Sequence, residues 1–149
     1  MTDIATLLPH TGTARMIERV LSWDTEQILV ATSRHRSVEN PLRRDGRLAA
    51  VHIAEFAAQA MAIHGGLLNA AQGRPPQAAL LVSVRDVQTF RDYIDDLPGE
   101  IEIAARALLV NPANWQYSFA ATHAGDTIAT GRVAAIARDV AQELAQDPL

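Results

Sequence analysis

The chain has 149 residues, a net charge of -4 at pH 7 and no cysteine, and a chain of this length folds as one domain. The missing cysteines exclude disulfides, thiolate zinc sites, iron–sulfur clusters and a cysteine nucleophile. All 13 basic residues are arginine, which excludes lysine Schiff-base chemistry, and the negative net charge argues against nucleic-acid binding.

The first part of the chain predicts a short helix or turn followed by a pair of strands. Residues 2–8 precede Pro9 and form the short element. Apolar and β-rich runs predict strands at about 15–23 and 26–33. Residues 37–47 contain Pro41 and the pair Asp45-Gly46, which are typical of a loop.

Residues 48–71 predict the long helix of the protein. They are rich in Ala, Leu, Met, Gln and Glu and contain no proline. Apolar residues lie on nearly every face of this helix, which indicates a helix wrapped by protein on its sides.

Four strands are predicted after the helix, at 78–90, 100–110, 115–123 and 126–137, with a hairpin turn at Ala124-Gly125. The last residues, 138–149, form an acidic, helix-prone tail. One helix inserted among antiparallel strands is an α+β pattern. Because a single curved sheet covers only part of an apolar helix, a second copy of the chain is expected against it.

The long helix carries three polar residues, His52, Glu55 and Gln59, at spacings of three and four that put them on one face. Burial raises the pKa of a carboxyl group, which suits a general acid at neutral pH. The alternative is a stripe that is partly solvated, or paired with one of the arginines. A His-x-x-Glu spacing by itself is too little for a metal site, so none is predicted.

Arg43, Arg44 and Arg47 form a basic cluster just before the helix. Such a cluster is either solvated or binds an acidic partner or a phosphate. We interpret the histidines away from the Glu55 face as structural in the first place: His10, His35, His64 and His123.

Several segments resemble bacterial 3-hydroxyacyl-ACP dehydratases. Residues 7–10 (Leu-Leu-Pro-His) and 16–20 (Met-Ile-Glu-Arg-Val) resemble their entry motif, and residues 55–60 (Glu-Phe-Ala-Ala-Gln-Ala) resemble their helix motif. The run 45–50 leading into Glu55 is similar to the branch of predicted dehydratases associated with aryl-polyene-type pigments. Weaker matches extend the resemblance over about residues 7–137: they are 37–41, 97–100 and 124–126.

This resemblance implies a single hotdog domain over 1–149, with a central helix wrapped by an antiparallel sheet and its core at about 7–137. It implies a homodimer, or a heterodimer with another hotdog dehydratase, with active sites in tunnels at the interface. The substrate would be a 3-hydroxyacyl chain on the phosphopantetheine arm of an acyl carrier protein, in fatty-acid or polyene biosynthesis. No cofactor is implied, and with neither a signal peptide nor a membrane span in the sequence we expect a cytoplasmic protein.

The resemblance also assigns roles to residues. Glu55 would protonate the departing hydroxyl, and Gln59 would position Glu55 or the substrate. Backbone amides near Ala49 and Ala50 would polarise the thioester carbonyl. The three arginines would contact the acidic carrier protein or the pantetheine phosphate, which speeds encounter more than it tightens binding.

The main family carries Gly-His-Phe-Pro-Gly before the acid, whereas residues 41–45 here are Pro-Leu-Arg-Arg-Asp, without a histidine. The aryl-polyene-like branch shares that loss. Three alternatives follow. The protein is a dehydratase whose base is His52 or His10, a non-catalytic subunit that binds acyl carrier protein or supports an active partner, or a hotdog thioesterase in which Glu55 activates water.

Overall fold

The computed structural model of the protein describes residues 4–7, 12–75 and 79–137. The predicted tail at 138–149 and His10 lie outside these residues. The described residues contain two α-helices, α1 and α2, and six strands, β1 to β6. In chain order they are α1 Ile4–Leu7, β1 Arg19–Trp23, β2 Gln27–Thr32, α2 Ile53–Ala71, β3 Ala79–Thr89, β4 Ile101–Val110, β5 Asn114–His123 and β6 Asp126–Ala137.

The six strands form one antiparallel sheet in the order β1-β2-β4-β5-β6-β3. The connection from β2 to β4 carries α2 and β3, so β3 adds to the far edge of the sheet beside β6. The β5–β6 hairpin turns at Ala124 and Gly125, whose φ angles of 50° and 87° are those of the tight turn predicted there.

Helix α2 packs on one face of the sheet, and the core lies between them. Phe56 and Ile63 of the helix are fully buried, as are Ile103 and Tyr117 of the sheet. One row of the helix remains only half-buried, at Glu55, Ala58, Ala62, Gly65 and Asn69. The helix is therefore covered on most of its circumference, and the half-open row begins at Glu55.

The α-helix begins at Ile53, five residues after the predicted start. The reason is a backbone pairing with residues far along the chain. Ile94 donates to the carbonyl of Leu48, and Ala50 donates to the carbonyl of Asp92, both at 2.9 Å. This pairing holds residues 48–49 extended, and a 3-10 turn at Ala50–His52 leads into the helix.

A polar pair lies inside the core, between α2 and β5. The hydroxyl of Tyr117 is 2.5 Å from Nδ1 of His64, and Nε2 of His64 is 2.7 Å from the carbonyl of Asp24. Because a carbonyl only accepts, Nε2 carries the proton and Nδ1 accepts from the tyrosine. His64 thus has the structural role predicted for it. No helix in the described part of the chain is long and apolar enough to cross a bilayer.

Candidate active site at the start of the long helix

The loop before α2 contains a tight turn at residues 44–47. Arg44 and Arg47 exchange backbone hydrogen bonds of 2.8 and 2.9 Å. Asp45 and Gly46 between them have φ angles of 52° and 75°, a conformation that Asp-Gly tolerates best. The turn fixes the approach of the chain to the helix.

The side chain of Arg43 links distant parts of this loop through hydrogen bonds. Its guanidinium donates to three backbone carbonyls, those of Ser37 at 2.7 Å, Gly46 at 2.7 Å and Arg36 at 3.0 Å. Arg44 donates at 3.0 Å to the carbonyl of Arg43, and its side chain lies on the surface. Of these two arginines, Arg44 therefore keeps more of its guanidinium available to a ligand.

Arg47 is held by a second segment, residues 93–95. Its Nε lies 3.1 and 3.2 Å from the two carboxylate oxygens of Asp95, and its guanidinium stacks 4.1 Å from the ring centre of Tyr93. Asp95 also accepts from the Leu48 amide at 2.9 Å. Burial alone would raise the pKa of Asp95, but the Leu48 amide and Arg47 hold that pKa below its usual value.

The backbone amides near Ala49 and Ala50, predicted to bind the thioester carbonyl, lie in the segment that pairs with residues 92–94. Ala49 bridges to Tyr93, and the amide of Ala50 is engaged by the carbonyl of Asp92. That hydrogen bond must open before Ala50 can donate to a thioester carbonyl.

Glu55 lies in the first turn of α2, and His52 occupies the residue just before the helix. Both side chains are half-buried, so the face that they share meets solvent. Gln59, on the same face of the helix, is 1% exposed and belongs to the core.

Gln59 is a clamp between α2 and the segment before β1. Its Oε1 accepts from the amide of Met16 at 2.7 Å, and its Nε2 donates to the carbonyl of Ala14 at 2.8 Å. Both ends of the side-chain amide thus hold backbone. Gln59 positions the segment that follows His10 against the helix that carries Glu55.

The histidines differ in whether their rings are engaged. Nε2 of His35 bonds the carbonyl of Leu97 at 2.9 Å, and Nε2 of His123 bonds the carbonyl of Pro98 at 2.8 Å. His64 is engaged on both nitrogens. Within residues 4–7, 12–75 and 79–137, His52 is the histidine whose ring has no hydrogen bond to another residue.

Sequence reasoning missed the part of the site that comes from residues 92–95. Asp95 and Tyr93 hold Arg47, and the carbonyl of Asp92 occupies the Ala50 amide. No spacing rule connects positions more than 40 residues apart, and a Tyr-Ile-Asp-Asp run before a turn has no motif of its own. The described residues contain no cluster of three or more His, Asp or Glu side chains that could hold a metal ion.

The sequence matches the profile of the ApeP-like family, described as ApeP dehydratase, over residues 2–146. The chain belongs to the ApeP-like dehydratase family. The predicted relation to hotdog dehydratases is thereby confirmed at the level of the family. No curated protein sequence matches the chain.

Solved structures confirm the hotdog fold of this ApeP-like chain. The dehydratase heterocomplex ApeI:P from Xenorhabdus doucetiae aligns over 97% of this chain and 98% of its own, with a TM-score of 0.85 and 17% identity. An HP0420 homologue from Helicobacter felis covers 91% and 87%, with a TM-score of 0.61 and 13% identity. A mutant of thioesterase PA1618 from Pseudomonas aeruginosa covers 80% and 79%, with a TM-score of 0.56 and 15% identity.

Proposed function

We propose that this ApeP-like protein removes water from a 3-hydroxyacyl thioester carried by an acyl carrier protein. Glu55 is the general acid and His52 the general base. His52 takes the proton from the carbon next to the thioester carbonyl, the electron pair forms the double bond, and the hydroxyl leaves as water with the proton of Glu55. The products are the enoyl thioester and water, so the step needs no oxidant or reductant.

The observation that carries this proposal is the position of His52 beside Glu55. A base must have a ring nitrogen free to accept a proton, and it must reach the substrate. Both ring nitrogens of His64 are engaged, and His35 is fully buried. The ring of His52 has no hydrogen bond to a described residue, and His52 lies half-buried three residues before Glu55, on the same face at the half-open end of α2.

The carrier protein is proposed to approach over the loop before the helix. Arg44 presents its guanidinium on the surface there, while Arg43 and Arg47 are engaged within the protein. An arginine of this kind suits the phosphate of the pantetheine arm or an acidic helix of the carrier. The aryl-polyene type of acyl chain is proposed from the family and the sequence resemblance.

A partner subunit is proposed along β3. This strand is an edge of the sheet, and three apolar side chains on it are 40–43% exposed: Leu80, Leu81 and Val84. A long apolar edge strand is normally covered, because its free backbone groups otherwise pair with other chains. The solved ApeI:P dehydratase is a heterocomplex, which makes another hotdog dehydratase our preferred partner.

The test is turnover of a 3-hydroxyacyl carrier protein to the enoyl thioester, read by mass spectrometry, for the protein alone and after addition of a hotdog dehydratase partner. We expect Glu55→Gln and His52→Asn each to lower the rate by about 10²–10⁴-fold, the usual contribution of a positioned acid or base. His123→Asn, in which the replaced ring bonds only a backbone carbonyl, is the matched control and should retain the wild-type rate.

Each alternative predicts a different result in this assay. A His10→Ala variant that loses turnover while His52→Asn keeps it would move the base to His10. Full activity of Glu55→Gln in the presence of the partner would show that this chain supports an active subunit without supplying the acid. Release of free acid in place of the enoyl product would identify a thioesterase.

A further inference from the structure

Three arginines lie in a single row across the sheet. Arg106 on β4 is in register with Ser118 on β5, Ser118 with Arg132 on β6, and Arg132 with Arg85 on β3. Residues in register share a face of an antiparallel sheet. The neighbour Tyr117 is buried toward the core, so the row lies on the face turned away from α2.

The positive charge in this row is unevenly compensated. Arg106 is paired with Glu26 at 3.0 Å, whereas Nε of Arg132 lies 3.8 Å from Asp86. Arg85 has no ion pair with any residue in the described part of the chain. Like charges directly opposite each other on neighbouring strands destabilise a sheet, and the pair Arg85 and Arg132 is of this kind. An anion between them would remove that repulsion.

A groove of about 330 Å³ begins at these two arginines. Its floor is Ala134, which stands in register between Ser83 and Gln116. Because the side chain of Ala134 is a single methyl group, the longer side chains beside it enclose a depression. Asn114 adds a further amide to the lining.

The far wall of the groove is apolar. Leu108, which is 51% exposed, and Ile136 both line it. One end thus offers two guanidinium groups with hydroxyl and amide groups, and the other end offers hydrocarbon. No residue of the loop before α2 or of α2 itself lines this groove, so it is separate from the site around Glu55.

We propose that this groove binds a small molecule that carries a phosphate group. Arg85 and Arg132 hold the phosphate between them, since guanidinium groups match the geometry of phosphate oxygens. Ser83 and Gln116 add hydrogen bonds, and Leu108 covers the organic part of the ligand. A groove of this size on a sheet face fits a small ligand better than it fits a membrane surface.

The test is titration of the isotope-labelled protein with inorganic phosphate and with phenyl phosphate, followed by NMR at low salt. We expect saturable shifts at Ser83, Gln116 and Ala134, and tighter binding of phenyl phosphate because of the apolar wall. Arg85→Gln should weaken binding by at least ~10-fold, as for loss of a charged hydrogen bond. Ala134→Leu, which fills the floor without changing charge, should also abolish binding.

Arg106→Gln is the matched control, because Arg106 belongs to the same row but lies outside the groove. It should keep the wild-type affinity. In the absence of phosphate, Arg85→Gln should raise the Tm slightly, since it removes the repulsion with Arg132. Equal losses in Arg85→Gln and Arg106→Gln, or binding to vesicles containing phosphatidic acid without binding to phenyl phosphate, would overturn the proposal.

Discussion

The side-chain amide of Gln59 lies near the candidate active site and makes two hydrogen bonds to the backbone. Its two polar atoms hold the Met16 amide and the Ala14 carbonyl. Gln59→Leu keeps the size and removes both hydrogen bonds, which leaves two backbone groups unpaired at a buried site. We expect a loss of about 2–4 kcal/mol in the free energy of unfolding, measured by urea denaturation.

Gln72→Leu, at the exposed end of α2, is the control and should stay within about 0.5 kcal/mol of wild type. If Gln59 instead bound substrate directly, Gln59→Leu would lose turnover with its stability intact. That result would contradict the clamp described above.

The two edge strands of the sheet, β1 and β3, allow a test of which edge a partner subunit covers. Leu81 on β3 and Leu21 on β1 are 40% and 39% exposed, so they differ in position and hardly at all in burial. If a partner covers β3, Leu81→Lys places a charge in that interface and should dissociate the assembly, because a buried unpaired charge is costly. Leu21→Lys should leave it intact. Sedimentation of both variants, alone and with the hotdog partner, measures the effect.

Dissociation by Leu21→Lys with no effect of Leu81→Lys would place the interface on the β1 edge. A wild-type protein that stays monomeric both alone and with the hotdog partner would contradict the proposed partner subunit and the interface tunnel that the sequence resemblance implies.

Most elements were predictable because their signals are local. Five of the six strands start within one residue of the predicted position, and β1 starts at Arg19, four residues after its predicted start. The Ala124-Gly125 turn was identified by residue type alone. The start of α2 was not predictable, since residues 48–50 are good helix formers. Pairing with residues 92–94 keeps them out of the α-helix, and pairing across that distance leaves no local pattern.

Part of the candidate site was likewise predictable from the sequence, and part was not. Helical spacing alone places His52 and Glu55 on one face, and the structure puts both at the half-open end of α2. Which of the three arginines remains available to a ligand depends on contacts that form only in the folded protein. Arg43 meets loop carbonyls and Arg47 meets Asp95, and nothing in their types or spacing distinguishes them from the more available Arg44.

For the molecule as a whole, two buried histidines set the response to acid. Burial lowers the pKa of His35 and of His64. The groups facing His35 are the Leu97 carbonyl, Arg36, His123 and Glu18. Those facing His64 are Tyr117 and both the carbonyl and the carboxylate of Asp24. Both rings are therefore neutral in the folded protein at a pH where the unfolded chain, with a pKa of about 6.5, already binds protons.

This difference in proton binding makes the folded protein less stable as the pH falls. Their contribution to stability is complete above about pH 6.5, and it is lost as the pH falls from there toward the lowered folded pKa values, because the unfolded state takes up protons first. Each histidine adds at most ~1.4 kcal/mol per pH unit to the slope. The carboxyl groups whose pKa is lowered, Glu18, Asp24 and Asp95, titrate at lower pH and destabilise the fold only there.

Urea denaturation at a series of pH values between about 7.5 and 5.5 measures this slope. His35→Asn keeps a donor for the Leu97 carbonyl and removes the titrating ring, so we expect a shallower loss of stability on acidification. A wild-type stability that is constant or rises over this range, or an unchanged slope in His35→Asn, would show that His35 is not buried in its neutral form, and the packing of the 3-10 turn at Arg34–Arg36 against Leu97 would then need revision.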